Sequence, residues 1–140
     1  MKLITIDISN IDKKITPVLR SQKAVAGAYL FGSALGRCRP DSDIDLGLLL
    51  QPEISYSEKE TDYIVEDILE ELPPVKNHVF DLIILNRTSA IFAYKVITQG
   101  KLIYSRNIET VKNFMERVSR QRAEDYPRYC QALKIIAKEC

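Results

Sequence analysis

The chain has 140 residues, 46% hydrophobic and 28% charged, the composition of one globular domain rather than of a disordered or fibrous chain. Twenty Lys and Arg against nineteen Asp and Glu leave a net charge of +1, too small an excess to argue for a nucleic-acid partner. The cysteines Cys38, Cys130 and Cys140 are odd in number and lack Cys-x-x-Cys spacing, which does not suggest a disulfide framework or a zinc cluster.

The first ten residues, MKLITIDISN, carry early acids and no long apolar run, so no secretory signal is expected. Ser9 or Asn10 is placed to cap a helix with Ile11, Ile15, Val18 and Leu19 at helical spacing, which Pro17 is expected to shorten. Residues 24–31 (AVAGAYLF) read as a buried strand, and residues 43–50 as a second strand ended by Gln51-Pro52. Ser57 with Glu60 forms a capping box before a helix striped by Ile64, Val65, Ile68, Leu69 and Leu72, which Pro73-Pro74 stops. Residues 79–85 (VFDLIIL) make a third strand. Residues 90–98 then read as a helix with Gly100 as its C-terminal cap, followed by a short edge strand at 102–104. The remainder is helical. Ile108, Val111, Met115 and Val118 are expected to pack onto the sheet, and Tyr129, Leu133 and Ile136 continue the spacing after Pro127. Basic residues outnumber acids from Arg106 onward, which reads as a solvated helix face. No segment approaches the length of a membrane span, and the expected compartment is the cytoplasm. The expectation is a single α/β (α+β) domain over residues 1–140, with a core at about 9–105 and a helical tail at about 107–140.

Within this frame, residues 31–50 read FGSALGRCRPDSDIDLGLLL. Side chains two apart on a strand share a face, about 7 Å apart along the backbone. Asp43 and Asp45 therefore present two carboxylates side by side, hard oxygen ligands of the kind that hold Mg²⁺. Asp81 is the natural third ligand, a lone acid in an apolar strand, where an unpaired buried carboxylate is costly. Gly32 lets a phosphate approach the backbone, Ser33 adds a hydroxyl donor, and Arg37 and Arg39 in the loop are candidates to neutralise a triphosphate. His78 is expected to be structural, a general-base role being its competing reading.

The order of apolar strand, Gly-Ser, short loop, Asp-x-Asp and then an isolated Asp in a third strand resembles the polymerase-β-type nucleotidyltransferase superfamily. More narrowly, it is similar to the minimal nucleotidyltransferase (MNT) proteins. The likeness covers about residues 25–105, including a closing GKLIY at residues 100–104. It implies a small mixed sheet of the polymerase-β type, ATP as substrate and two Mg²⁺ ions. By the same likeness Asp43, Asp45 and Asp81 are catalytic metal ligands, and Gly32 and Ser33 grip the triphosphate. Larger relatives carry an acceptor-binding domain. A chain of this size, with the tail RAEDYPRYCQALKIIAKEC, resembles the antitoxins of HEPN–MNT toxin–antitoxin pairs, in which AMP passes from ATP to a tyrosine of a HEPN ribonuclease. The resemblance thus implies a hetero-oligomer with such a toxin, without direct nucleic-acid or membrane binding. Two other readings stay open: an antitoxin that only occludes its toxin, and a small-molecule nucleotidyltransferase of the aminoglycoside-modifying type.

Overall fold

The computed structural model describes residues 2–52, 57–72, 74–75 and 78–139, with side chains described up to residue 135 in the last helix. Pro73, Cys140 and the side chain of Ile136, all singled out in the sequence, lie outside the described residues.

A two-residue strand β1 (Ile4–Thr5) leads into helix α1 (Ile8–Ser21). The cap of α1 is Asp7, rather than the expected Ser9 or Asn10. Its Oδ1 accepts from the N–H of Ser9 at 3.0 Å and from the Ser9 hydroxyl at 2.8 Å. A carboxylate at a helix N-terminus also complements the dipole, which a serine or asparagine cap does not. Pro17 does not shorten the helix. It sits on the exposed face, as does Lys13 four residues earlier, so the carbonyl left without a donor faces water. Ile11, Ile15 and Leu19 on the opposite face are fully buried.

Strand β2 (Val25–Phe31) is followed by a 3-10 turn at Gly32–Leu35, a short strand β3 (Arg37–Cys38) and strand β4 (Ile44–Leu50). β3 pairs antiparallel with β1, joining Ile4 to Cys38 and Thr5 to Arg37. Helix α2 (Glu58–Glu71) starts at Ser57, whose side chain accepts from the N–H of Glu60 at 3.1 Å. Of its expected stripe, Ile68 is fully buried, whereas Leu69 is 37% exposed. Strand β5 (Phe80–Ile84), helix α3 (Ala90–Gln99), edge strand β6 (Lys101–Ser105) and helix α4 (Ile108–Glu139) complete the chain.

The main sheet has the order β5-β4-β2-β6. β2 is antiparallel to both β4 and β6, and β4 is parallel to β5, with α2 as the crossover. Apolar layers cover both faces, which is why β4 reads as a near-continuous apolar run. On one face Leu30, Leu46, Leu48 and Leu50 pack with Ile11, Ile15 and Leu19 of α1 and Ile68 of α2. On the other, Tyr29 and Leu49 pack with Ala93 and Val96 of α3 and with Val111, Phe114 and Val118 of α4. The expected stripe on α4 is thus corrected in phase: Ile108 is 48% and Met115 38% exposed, and Phe114 is buried instead. Spacings of 3-4 and 4-3 have the same period, so periodicity cannot choose between them. A Cβ on Gly27 would lie 2.9 Å from Cγ2 of Val111, so the missing side chain lets α4 sit close against β2, with Val111, Phe114 and Val118 turned inward. α4 runs as one helix through Pro127, again at an exposed position.

Candidate active site

The end of β2 and the start of β4 lie side by side, with Phe31 opposite Asp45. Across the parallel pair, Asp45 is in turn opposite Asp81. Partners in a ladder row share a face, so Phe31, Asp45 and Asp81 project from the sheet on the side covered by α3 and α4. Asp43, two residues before Asp45, precedes the strand on the same edge.

Gly32 follows Phe31 with φ +78°, a left-handed conformation that glycine adopts without strain. A Cβ on Gly32 would collide with Oδ2 of Asp45, so the carboxylate rests directly against the glycine backbone. Asp45 is partly buried, while Asp43 and Asp81 are exposed. Burial raises the pKa of Asp45 above the ordinary carboxylate value, and the negative charges of Asp81 and then Asp43 raise it further. A cation bound among the three would reverse the second effect.

The loop carrying Asp43 is anchored from below. His78 is 2% exposed, and its Nδ1 donates to the Ser42 carbonyl at 2.7 Å. One residue on, the Val79 carbonyl accepts from the N–H of Ile44 at 2.8 Å. His78 lines a small cavity with Ile4, Thr5, Ile6, Asp7, Asn10 and Val75, and no residue of the Asp cluster lines it. Its place is that of a strut between the loops before β4 and β5.

A cavity of about 480 Å³ opens beside the Asp cluster, lined by Phe31, Gly32, Leu35, Phe92, Lys95, Val96 and Gln99. Phe31 and Phe92 meet edge to face with ring centroids 5.9 Å apart. Gly32 belongs to both features, touching Asp45 on one side and the cavity on the other. Of the other expected phosphate ligands, Ser33 is exposed on the 3-10 turn and Arg37 is exposed on β3. Arg39 pairs with Asp41 at 3.3 Å, both side chains well exposed. None of these three lines the cavity. Lys95 and Phe92 were not singled out in the sequence, although Lys95 is the one charged residue in α3 and stands out on that ground.

The three carboxylates, Asp45 opposite Asp81 with Asp43 two residues before, suit a hard divalent ion. Among the described residues no group of three or more His, Cys, Asp or Glu side chains closes around a ready-made metal position. Mg²⁺ commonly takes only one or two carboxylates and completes its shell with phosphate and water, so an open site of this kind fits it.

The model of the family "Polymerase beta, Nucleotidyltransferase" matches residues 13–109. The chain belongs to this nucleotidyltransferase family, and its mixed α/β sheet with flanking helices is that family's fold. No curated protein matches the chain. Among solved structures, it is similar to the toxin–antitoxin MntA-HepT, with 19% identity and TM-score 0.60 over 89% of this chain and 98% of that one. It is equally similar to a toxin–antitoxin with AMP-PNP, at 20% identity and TM-score 0.61 over 87% and 98%. A third is a tri-AMPylated Shewanella oneidensis HEPN toxin in complex with an MNT antitoxin, at 19% identity and TM-score 0.60 over 89% and 98%. At these identities the likeness is one of fold. Among the described residues no helix is long and apolar enough to cross a membrane.

Proposed function

We propose that this chain is an antitoxin nucleotidyltransferase that transfers AMP from Mg-ATP to a tyrosine of a HEPN-type ribonuclease and so silences it. The reading rests above all on one observation: Asp45 and Asp81 share a ladder row beside a left-handed glycine, with Asp43 two residues away. The fold it shares with antitoxins of toxin–antitoxin complexes, one holding AMP-PNP and one an AMPylated toxin, supports the choice of partner and nucleotide.

In this reading Asp43, Asp45 and Asp81 hold two Mg²⁺ ions. Bound there, the ions would offset charge on the phosphates and on the attacking oxygen. The backbone after Gly32 and the Ser33 hydroxyl donate to phosphate oxygens, and Arg37 and Arg39 add outlying positive charge. The tyrosine oxygen attacks the α-phosphorus, a new P–O bond forms, and the bond to the β-phosphate oxygen breaks. Pyrophosphate leaves with that electron pair, while the tyrosine proton passes to Asp81 and on to water. Positioning and electrostatics account for most of the acceleration. The work is done in a hetero-oligomer with the toxin, in the cytoplasm, where ATP is present.

The test is intact-mass spectrometry of a HEPN-type ribonuclease that co-purifies with the chain, after incubation with the chain, ATP and Mg²⁺. The expected result is a gain of whole AMP units that is lost with Asp43→Ala or Asp45→Ala. Full neutralisation of the ribonuclease by the Asp43→Ala/Asp45→Ala double variant, with no mass gain, would establish a binding-only antitoxin and overturn the reading. Transfer of AMP to a small molecule with no protein acceptor present would overturn it in the other direction.

A further inference from the structure

Three carboxylates with two divalent ions leave roughly one net positive charge, well short of what a nucleoside triphosphate carries. Some side chain must supply the rest. Arg39 is already paired with Asp41 in an exposed loop, where attraction to a third group is weakened by water and salt. Arg37 is exposed on β3, and neither arginine lines the cavity beside Gly32.

Lys95 does line it, one helical turn after Phe92 on α3. Among the described residues its ammonium has no carboxylate partner. It is the one charged residue of a helix that otherwise presents Ala93, Val96 and Ile97 to the core. Its side chain stands on the wall of a cavity lined also by Phe31, Leu35, Phe92 and Val96, and unlike Arg39 it is not already engaged by a carboxylate among the described residues. Across that cavity Gly32 carries the Asp45 carboxylate against its own backbone. A triphosphate laid along the Gly32 turn would have the carboxylate-bound ions on one side and this cation on the other.

We propose that Lys95 is the side chain that neutralises the β- and γ-phosphates of the nucleoside triphosphate, acting from the cavity wall formed by α3. The inference rests on the nucleotidyl-transfer reading above. A lysine suits the task as a compact point charge on a flexible stem, able to follow the phosphates as pyrophosphate departs.

The experiment is a titration of the full chain with a fluorescent ATP analogue in Mg²⁺, with ATP and AMP as competitors. The set is wild type, Lys95→Ala, Lys95→Gln, Lys95→Arg, Arg37→Ala and Arg39→Ala. Losing a charge-assisted contact should weaken ATP binding by roughly tenfold to a hundredfold in Lys95→Ala and Lys95→Gln. Binding of AMP, which lacks the β- and γ-phosphates, should change by no more than about twofold, and Lys95→Arg should restore most of the ATP affinity. Arg37→Ala and Arg39→Ala should each cost less than Lys95→Ala. Lys95 is exposed, so circular dichroism should report an unaltered fold in all three variants. Wild type that binds ATP while Lys95→Ala binds it equally well overturns this inference alone. Equal loss of ATP and AMP would make Lys95 part of the wall rather than a phosphate ligand, and also overturns it. Wild type that binds no ATP overturns this inference together with the function it rests on.

Discussion

Gly32 combines two demands on one residue, and Gly32→Ala separates them. Its φ of +78° costs an L-residue about 1 kcal/mol. The new Cβ would also strike Oδ2 of Asp45, and overpacking of this kind adds roughly 1–3 kcal/mol. The expected loss is about 2–4 kcal/mol in urea unfolding followed by circular dichroism. Truncating Asp45 removes the colliding atoms, leaving only its Cβ at 3.5 Å, an ordinary contact. In the Asp45→Ala background the same glycine substitution should therefore cost only the conformational part, about 1 kcal/mol. The double-mutant cycle should show a coupling of at least about 1 kcal/mol. Equal costs in the two backgrounds would refute the claim that the carboxylate is seated on the glycine. Activity should fall further than stability, because pushing Asp45 aside by about 1 Å is enough to cost on the order of 100-fold in rate.

Three other outcomes are expected. The Asp45 carboxyl titrates above its ordinary value through burial and its neighbours Asp81 and Asp43, so its ionised form opposes folding in metal-free protein. That penalty is fully present above the raised pKa and is relieved as pH falls through it toward the ordinary carboxylate value. Asp45→Asn should accordingly be more stable than wild type at pH 7 without Mg²⁺, and the gap should close in acid; a gap that widens in acid would contradict the assignment. His78→Ala should cost about 2–3 kcal/mol in urea unfolding by emptying a buried site and freeing the Ser42 carbonyl. In whatever activity remains, the pH–rate profile should keep its shape, whereas loss of a limb would restore His78 as general base. Arg122 stacks between Tyr94 on α3 at 4.6 Å and Tyr126 on α4 at 3.8 Å. Arg122→Ala should cost about 0.5–1 kcal/mol in thermal unfolding and nothing in the Tyr94→Leu/Tyr126→Leu background.

The elements with strong local signals lie where the sequence predicts them. Ser57 caps α2, Gly100 ends α3, and the apolar runs become β2, β4 and β5. The errors have physical causes. β1 and β3, at two residues each, are too short to show any period, so their ladder was missed. Asp7, Ser9 and Asn10 all qualify as the cap of α1 by residue type, so residue type alone does not place it, and Asp7 takes the position. Pro17 is expected to shorten its helix but lies on the exposed face, where the unpaired carbonyl is solvated.

The site divides along the same line. Gly32-Ser33 and Asp43-x-Asp45 are legible in sequence because the turn and the two-residue strand period are local properties. Asp81 stands out as a lone acid in an apolar strand, but only the parallel register of β5 on β4, set across the α2 crossover, brings it opposite Asp45. The seating of Asp45 on Gly32, the inward phase of Phe114 and the approach of Lys95 to the cavity all depend on which strands and helices meet. The sequence by itself determined which groups are present, since residue type and short spacing are enough to supply two carboxylates close after a Gly-Ser turn. Only the tertiary structure decided how those groups face one another and which residues line the cavity beside them, because strand register and helix packing are set by contacts between residues far apart in the chain.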